Sequence, residues 1–423
     1  MSGALIRGAR IPGVGVRDVR MCDGIVTEVG LSLPIAGNDV HDLAGYVLLP
    51  GLVEPHIHLD KVFSAAPDPG EGAATAQNAD GPAGLTDAIR RQESHAREAA
   101  TSSGTGSHRD VVAARAGRAL RRYVASGTTA IRCHVGCGRS IDNESLRAIL
   151  DVREQWRDVI RVQVVADIGW PQGSPWREHV GRLREALDAG ADLVGGYPSL
   201  EAEPDEAMEA CLAVAREYGR GVDFHLDEVL EPEDQDVRRM ARLLLDDPLG
   251  ASTTASHCVA LGSCEPALQR EIAREIAAVG ISVITNPMTN LYLQDRPAAQ
   301  MRGLTAIQAL IAEGVTVAAG SDNIQDAFNP VGRCDPLEIA SLLITAGQCE
   351  VDDALDMVTT SARRVMGMPP AGAREGMVAD LVAVRATSPT TAIADAPADR
   401  VVFVGGRLIA STRVATQFAH DSV

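Results

Sequence analysis

The chain has 423 residues, with 57 Asp and Glu against 39 Lys and Arg, a formal net charge of −18. So acidic a surface repels phosphate backbones and anionic lipid, which sets aside nucleic-acid binding and membrane-surface binding as roles. With 45% hydrophobic and 23% charged residues, the composition is that of a globular enzyme able to bury a large core without disulfides.

From the N-terminus, MSGALIRGARIPGVGVRD has no apolar core long enough for a signal peptide, and no run of about 18 apolar residues follows. The eight cysteines are scattered and form no CxxC pair, which reads as a reduced, cytoplasmic protein without a zinc ribbon. Residues 1–50 are short strands broken by Gly and Asp-Gly turns, and residues 373–423 repeat that pattern. One small β-sandwich domain built from both termini is expected. Residues 51–372 alternate short apolar runs with amphipathic stretches. Strand ends are expected near Leu52–His58, Thr128–His134, Ile160–Val165, Leu193–Gly196, Gly221–His225, Ser252–His257, Ser282–Thr285 and Val315–Ala319. Helices are expected at Asp110–Ser126, Ser145–Gln155, Arg177–Ala189, Ala207–Tyr218, Asp234–Leu245, Glu265–Val279, Leu304–Glu313 and Pro336–Ala346. Eight such alternations fit an α/β fold, a (β/α)8 TIM-type barrel. A doubly wound sheet would show a phosphate-binding glycine loop, and neither GxGxxG nor GxxxxGK[ST] is present. The Gly-, Ala- and Pro-rich segment 68–84 leaves the catalytic end of the first strand and is a candidate lid.

Chemistry concentrates at the strand ends. His56 and His58 lie at i, i+2 on the first strand, so both face one side and read as metal ligands. His225 ends the fifth strand, His257 the sixth, and Asp322 follows the eighth. A closed barrel brings these ends to one mouth. Imidazoles plus a carboxylate suit one divalent ion, Zn²⁺ or Fe²⁺, with an open position for water.

The chain resembles the amidohydrolase superfamily, and within it the bacterial cytosine deaminase group. The resemblance rests on Leu49–Asp60, Gly127–Arg132, His225-Leu226-Asp227-Glu228, Ala255-Ser256-His257, Asn286–Asn290, Gly320-Ser321-Asp322 and Gly376–Val382. It implies a metal held by His56, His58, His225 and Asp322, a proton shuttle at Glu228, and His257 beside the attacked group. Asp322 would also accept the proton of the attacking water. It further implies that Gln163 hydrogen-bonds the substrate ring, that Phe328 stacks on it, and that Asn323 helps to shape the pocket. A small heterocyclic substrate and a homo-oligomer follow from the same likeness. Binuclear relatives bridge their metals with a lysine of the fourth strand; the single lysine here, Lys61, lies just past the first, so one metal is expected. Ser321, Asn323, Leu226 and Gly136 depart from the cytosine pattern at positions that would shape the ring pocket.

The expected activity is hydrolytic release of ammonia from an amino-substituted nitrogen heterocycle, cytosine or a similar ring. The alternative is hydrolysis of a cyclic amide or of an N-alkylamino, triazine-like ring. An inert scaffold would have lost ligands, and this chain keeps all five.

Overall fold

The structure is a computed structural model that describes residues 3–65, 85, 88–92, 107–137, 140–168, 176–201, 203–231, 235–293 and 303–417. The chain opens with β1 (Ala4–Ile11), β2 (Gly15–Cys22), β3 (Ile25–Gly30), β4 (Asp39–Asp42) and β5 (Val47–Pro50). Asp23 and Gly24, both at positive φ (51° and 82°), join β2 to β3 as a tight two-residue hairpin, the conformation that Asp-Gly favours.

The eight core strands follow: β6 (Leu52–Ile57), β7 (Thr128–Gly136), β8 (Arg161–Ile168), β9 (Leu193–Gly196), β10 (Gly221–Leu226), β11 (Thr253–His257), β12 (Ser282–Thr285) and β13 (Val317–Ala319). They pair in chain order, all parallel, as a β/α barrel. Nearly every residue in them is buried, because helices cover one face and the barrel interior the other. β13 meets β6 through a bridge between Asp322 and Ile57, with Asp322 N–H donating to the His56 carbonyl at 2.9 Å. At the N-terminal end, the helix Thr360–Val365 plugs the barrel with Ala362, Val365 and Met366 against Val53, Ala130 and Ile284.

The last strands, β14 (Leu381–Val384), β15 (Arg400–Val404) and β16 (Arg407–Thr412), return to the N-terminal ones. They form a second sheet ordered β16-β15-β14-β5-β1-β2-β3, with β4 beside β1. Its core joins both ends of the chain, packing Ile6, Val19 and Leu48 with Leu381, Val401 and Phe403. Expected and observed elements agree closely. The helix placed at Leu304–Glu313 is shorter, Ile307–Ala312, because Thr305 donates its hydroxyl to the His257 carbonyl instead of entering the helix. The segment 68–84 lies outside the described residues.

Arg400 ties this sheet to the barrel. Only 2% exposed, it pairs with both oxygens of Asp335 at 2.9 and 2.7 Å and donates to the carbonyls of Ser126 and Pro397. Asp335 also caps the helix Pro336–Thr345 through Leu337 N. Removing one member of a buried pair strands the other charge, at a cost of about 3–5 kcal/mol. Arg400→Met is therefore expected to lower unfolding stability by about 3 kcal/mol in denaturant titration; a change below about 1 kcal/mol would deny the pair this role.

Candidate active site

Alternation along parallel strands decides what enters the barrel, since every second side chain points inward. From β6 these are Glu54 and His56, with His58 just past its end; from β7, Arg132 and His134; from β10, Asp223 and His225. β8 contributes Asp167 and β11 contributes Ser256; His257, where β11 ends at positive φ, and Asp322, after β13, complete the set. All are buried.

Four of the expected residues meet at one point. His58 Nε2 lies 3.3 Å from His225 Nε2 and 3.4 Å from Asp322 Oδ1, and His56 Nε2 lies 3.6 Å from the same oxygen. His56 Nε2 and Asp322 Oδ1 are buried with no hydrogen-bond partner. Burial, then the charge on His134, holds the His56 and His225 imidazoles well below the ordinary histidine range, so both are neutral. Burial and the Glu228 and Asp326 carboxyls push Asp322 well above its ordinary range, a cost that a cation between these atoms would relieve. Neutral imidazoles and a carboxylate with convergent orphan atoms fit a divalent metal ion.

His257 and Glu228 stand beside this point. His257 Nε2 is 3.8 Å from Glu228 Oε2 and 3.9 Å from Asp322 Oδ2. Asn290 Nδ2 lies 3.1 Å from His257 Nδ1 and Asn286 Nδ2 lies 3.3 Å from its Nε2, so side-chain amides fix the ring from both sides. Burial and the charge on His134 lower His257 to about 3. Glu228 is lifted to about 7 by burial, against the opposing pull of Lys61. Both His257 and Asp322 sit at positive φ, 75° and 61°, a strained backbone that aims each side chain across the barrel mouth.

Above the cluster opens a cleft walled by Lys61, Tyr197, Glu228, Asn323 and Phe328, with Ile89, Leu200 and Leu293 also lining it. Lys61 Nζ is 3.0 Å from His58 Nδ1 and 5.8 Å from the centre of the Phe328 ring. Phe328 also packs with Ile89 and Leu293, so it is both wall and local core. Asn323 donates Nδ2–H to Asp326 at 2.6 Å.

Gln163 does not join them. Its amide donates to the Met366 carbonyl at 2.8 Å and accepts from Arg132 Nε at 3.2 Å, near the plugged end of the barrel. The expectation that it touches substrate is corrected: from mid-strand, four residues short of Asp167, its side chain points into the floor.

The match to a family model described as "Amidohydrolase family" spans residues 64–410. The chain belongs to the amidohydrolase family. This amidohydrolase is 30% identical over 417 residues to a pterin deaminase of Rhizobium rhizogenes, covering 95% of its own length and 90% of the relative's. In structure it is similar to N-isopropylammelide isopropylaminohydrolase from Burkholderia multivorans, with a TM-score of 0.79, 30% identity, and coverage of 97% and 99% of the two chains. It is likewise similar to 5-methylcytosine deaminase from Klebsiella pneumoniae liganded with phosphonocytosine, with a TM-score of 0.84, 26% identity, and coverage of 98% and 100%.

Sequence reasoning missed the buried layer under the cluster. His134 lies between Asp167, at 3.2 Å, and Asp223, at 3.5 Å; these carboxylates overcome burial and raise it to about 9. Gly195 of β9 makes room for this layer, since a Cβ there would stand 2.0 Å from Asp167 Oδ1. In this amidohydrolase the fourth strand thus sets Gly195 against Asp167 of that ion pair. Inward alternation of Arg132 with His134, and of Asp223 with His225, was the available signal. The cluster leads to a test: His56→Ala and Asp322→Ala are each expected to weaken Zn²⁺ binding at least about ten-fold in chelator competition. Undiminished binding in either would remove that residue from the ligand set.

Proposed function

We propose that this amidohydrolase is a metal-dependent hydrolytic deaminase that releases ammonia from a planar amino-substituted nitrogen heterocycle. The observation that carries the reading is that His58 Nε2 lies 3.3 Å from His225 Nε2 and 3.4 Å from Asp322 Oδ1, with His56 Nε2 3.6 Å from that oxygen, beside a buried Glu228 and under a cleft walled by Phe328 and Tyr197. A divalent ion held by those four residues would supply a water acidic enough to attack near neutral pH.

The chain's own groups account for the rest. Asp322 Oδ2 takes a proton from the attacking water, and His257, its Nε2 3.9 Å from that oxygen, holds the attacked carbon's substituent in line. Glu228 Oε2, its carboxyl lifted to about 7, delivers its proton to the ring nitrogen. The proton taken up by Asp322 passes to the departing amine as the C–N bond breaks, and the proton of the new C–OH returns to Glu228 as the carbonyl forms. Two carboxyls, one facing the cation seat and one off it, hold protons over different pH ranges, as acid and base require. The Phe328 ring offers a stacking face, and Asn323 and Lys61 stand where they can contact the polar edge of the ring.

The substrate class favoured is a 2- or 4-amino pyrimidinone ring. Cytosines and pterins share that unit, and full-length likeness to a pterin deaminase and a 5-methylcytosine deaminase supports it. A second reading, loss of an alkylamine from a triazine ring, is supported by the likeness to N-isopropylammelide isopropylaminohydrolase. Both would use the same residues and differ in the leaving group. Among the described residues no helix is long and apolar enough to cross a membrane.

Ammonia release from the Zn²⁺- or Fe²⁺-loaded protein decides between them, assayed over pterin, cytosine, isocytosine, 5-methylcytosine and N-alkylamino triazines. Ammonia from a pyrimidinone ring supports the first reading, and alkylamine from the triazines alone supports the second. Glu228→Gln should retain metal and lose about 10²–10⁴-fold in kcat; near-normal turnover would exclude the shuttle. Phe328→Ala is expected to raise KM several-fold, whereas Gln163→Ala should leave KM within about two-fold and lower thermal stability. The reverse pattern would return Gln163 to the substrate and Phe328 to the core.

A further inference from the structure

Below the convergence point, a line of hydrogen bonds runs along the barrel axis and ends on the buried ring of His56. At its foot, Arg132 donates Nη2–H to the Val365 carbonyl at 2.9 Å. Its Nη1 donates to Asp223 Oδ2 at 2.7 Å. The other Asp223 oxygen, Oδ1, accepts from the Ser256 hydroxyl at 2.8 Å, and Ser256 Oγ lies 2.9 Å from His56 Nδ1. Arg132, Asp223, Ser256 and His56 are all buried, so no bulk water competes for these partners.

The line has a direction. A guanidinium only donates and a carboxylate only accepts, so the single Ser256 hydroxyl proton is committed to Asp223. Ser256 can then meet His56 only as an acceptor, and a neutral imidazole that donates from Nδ1 carries its lone pair on Nε2. That is the atom left without a partner 3.6 Å from Asp322 Oδ1.

We propose that Ser256, oriented by Asp223 and Arg132, is a positioning residue that fixes His56 in the Nδ1–H tautomer and so presents Nε2 as a metal-binding atom before any ion arrives. A serine stands between carboxylate and histidine, so the ring is held by a relayed contact. Register explains the choice of side chain. Ser256 on β11 is paired with His225, one residue beyond Phe224, while Asp223 is paired with Thr254. Asp223 therefore sits a layer below Ser256, whose hydroxyl reaches both that carboxylate and the His56 ring.

This inference rests on the metal-site reading above, and two measurements separate the two. Zn²⁺ affinity by chelator competition is expected to fall about 10–100-fold in Ser256→Ala. Selective ¹⁵N labelling of the histidine rings in the metal-free, unaltered chain should show His56 protonated at Nδ1 and bare at Nε2, with the signal assigned by its loss in His56→Asn. In Ser256→Ala the same spectrum should show a mixture of tautomers. Zn²⁺ bound by Ser256→Ala as tightly as by the unaltered chain, while His56→Ala loses it, overturns the relay and keeps the metal site. Full binding by His56→Ala overturns the metal site itself. A proton on Nε2 in the unaltered chain overturns the relay even if Ser256→Ala does not fold.

Discussion

The barrel closes where the Asp322 N–H meets the His56 carbonyl, and the rest of the site depends on that junction. The strands that bear the first and last candidate ligands are neighbours only because the sheet meets itself there. Glu54 secures the junction from inside. It accepts from the backbone N–H groups of His56 and Ser321, from the Tyr123 hydroxyl, and from the Ser321 hydroxyl. Desolvation pushes this carboxyl up to about 7 despite those four donors. Gly320 belongs to the same constraint, because a Cβ there would crowd Glu54, Asn286 and His56 at 2.9 Å.

This arrangement stacks polar layers inside an otherwise apolar barrel. The floor holds Arg132 and Gln163 on backbone carbonyls of the plug, the middle holds His134 with Asp167 and Asp223, and the top holds the candidate metal seat. Buried charge is tolerable only when each group has an opposite partner or a hydrogen bond in reach. Unpartnered atoms of the top layer, among them His56 Nε2, His225 Nδ1 and Asp322 Oδ1, therefore mark where chemistry is expected.

Much of this was legible in the chain. The i, i+2 histidines, the strand-end positions of His225 and His257, and the eight-fold rhythm of apolar runs each follow from local pattern, and all survive in the structure. Gln163 was misread because a glutamine on a strand carries no mark of its height in the barrel, and here it lies below the middle layer. Asp223 and Ser256 were overlooked for the opposite reason: single polar residues in apolar strands look like nothing until a neighbouring strand supplies the partner.

The sequence by itself determined the strand and helix order, the parallel barrel and the residues proposed to hold a cation, because periodicity and residue chemistry are local properties. Only the tertiary structure decided which of those residues touch, which lie in the floor, and how the protons between them are shared. Those outcomes depend on register between strands far apart in the chain and on the low dielectric of the barrel interior, and neither is written in any one segment.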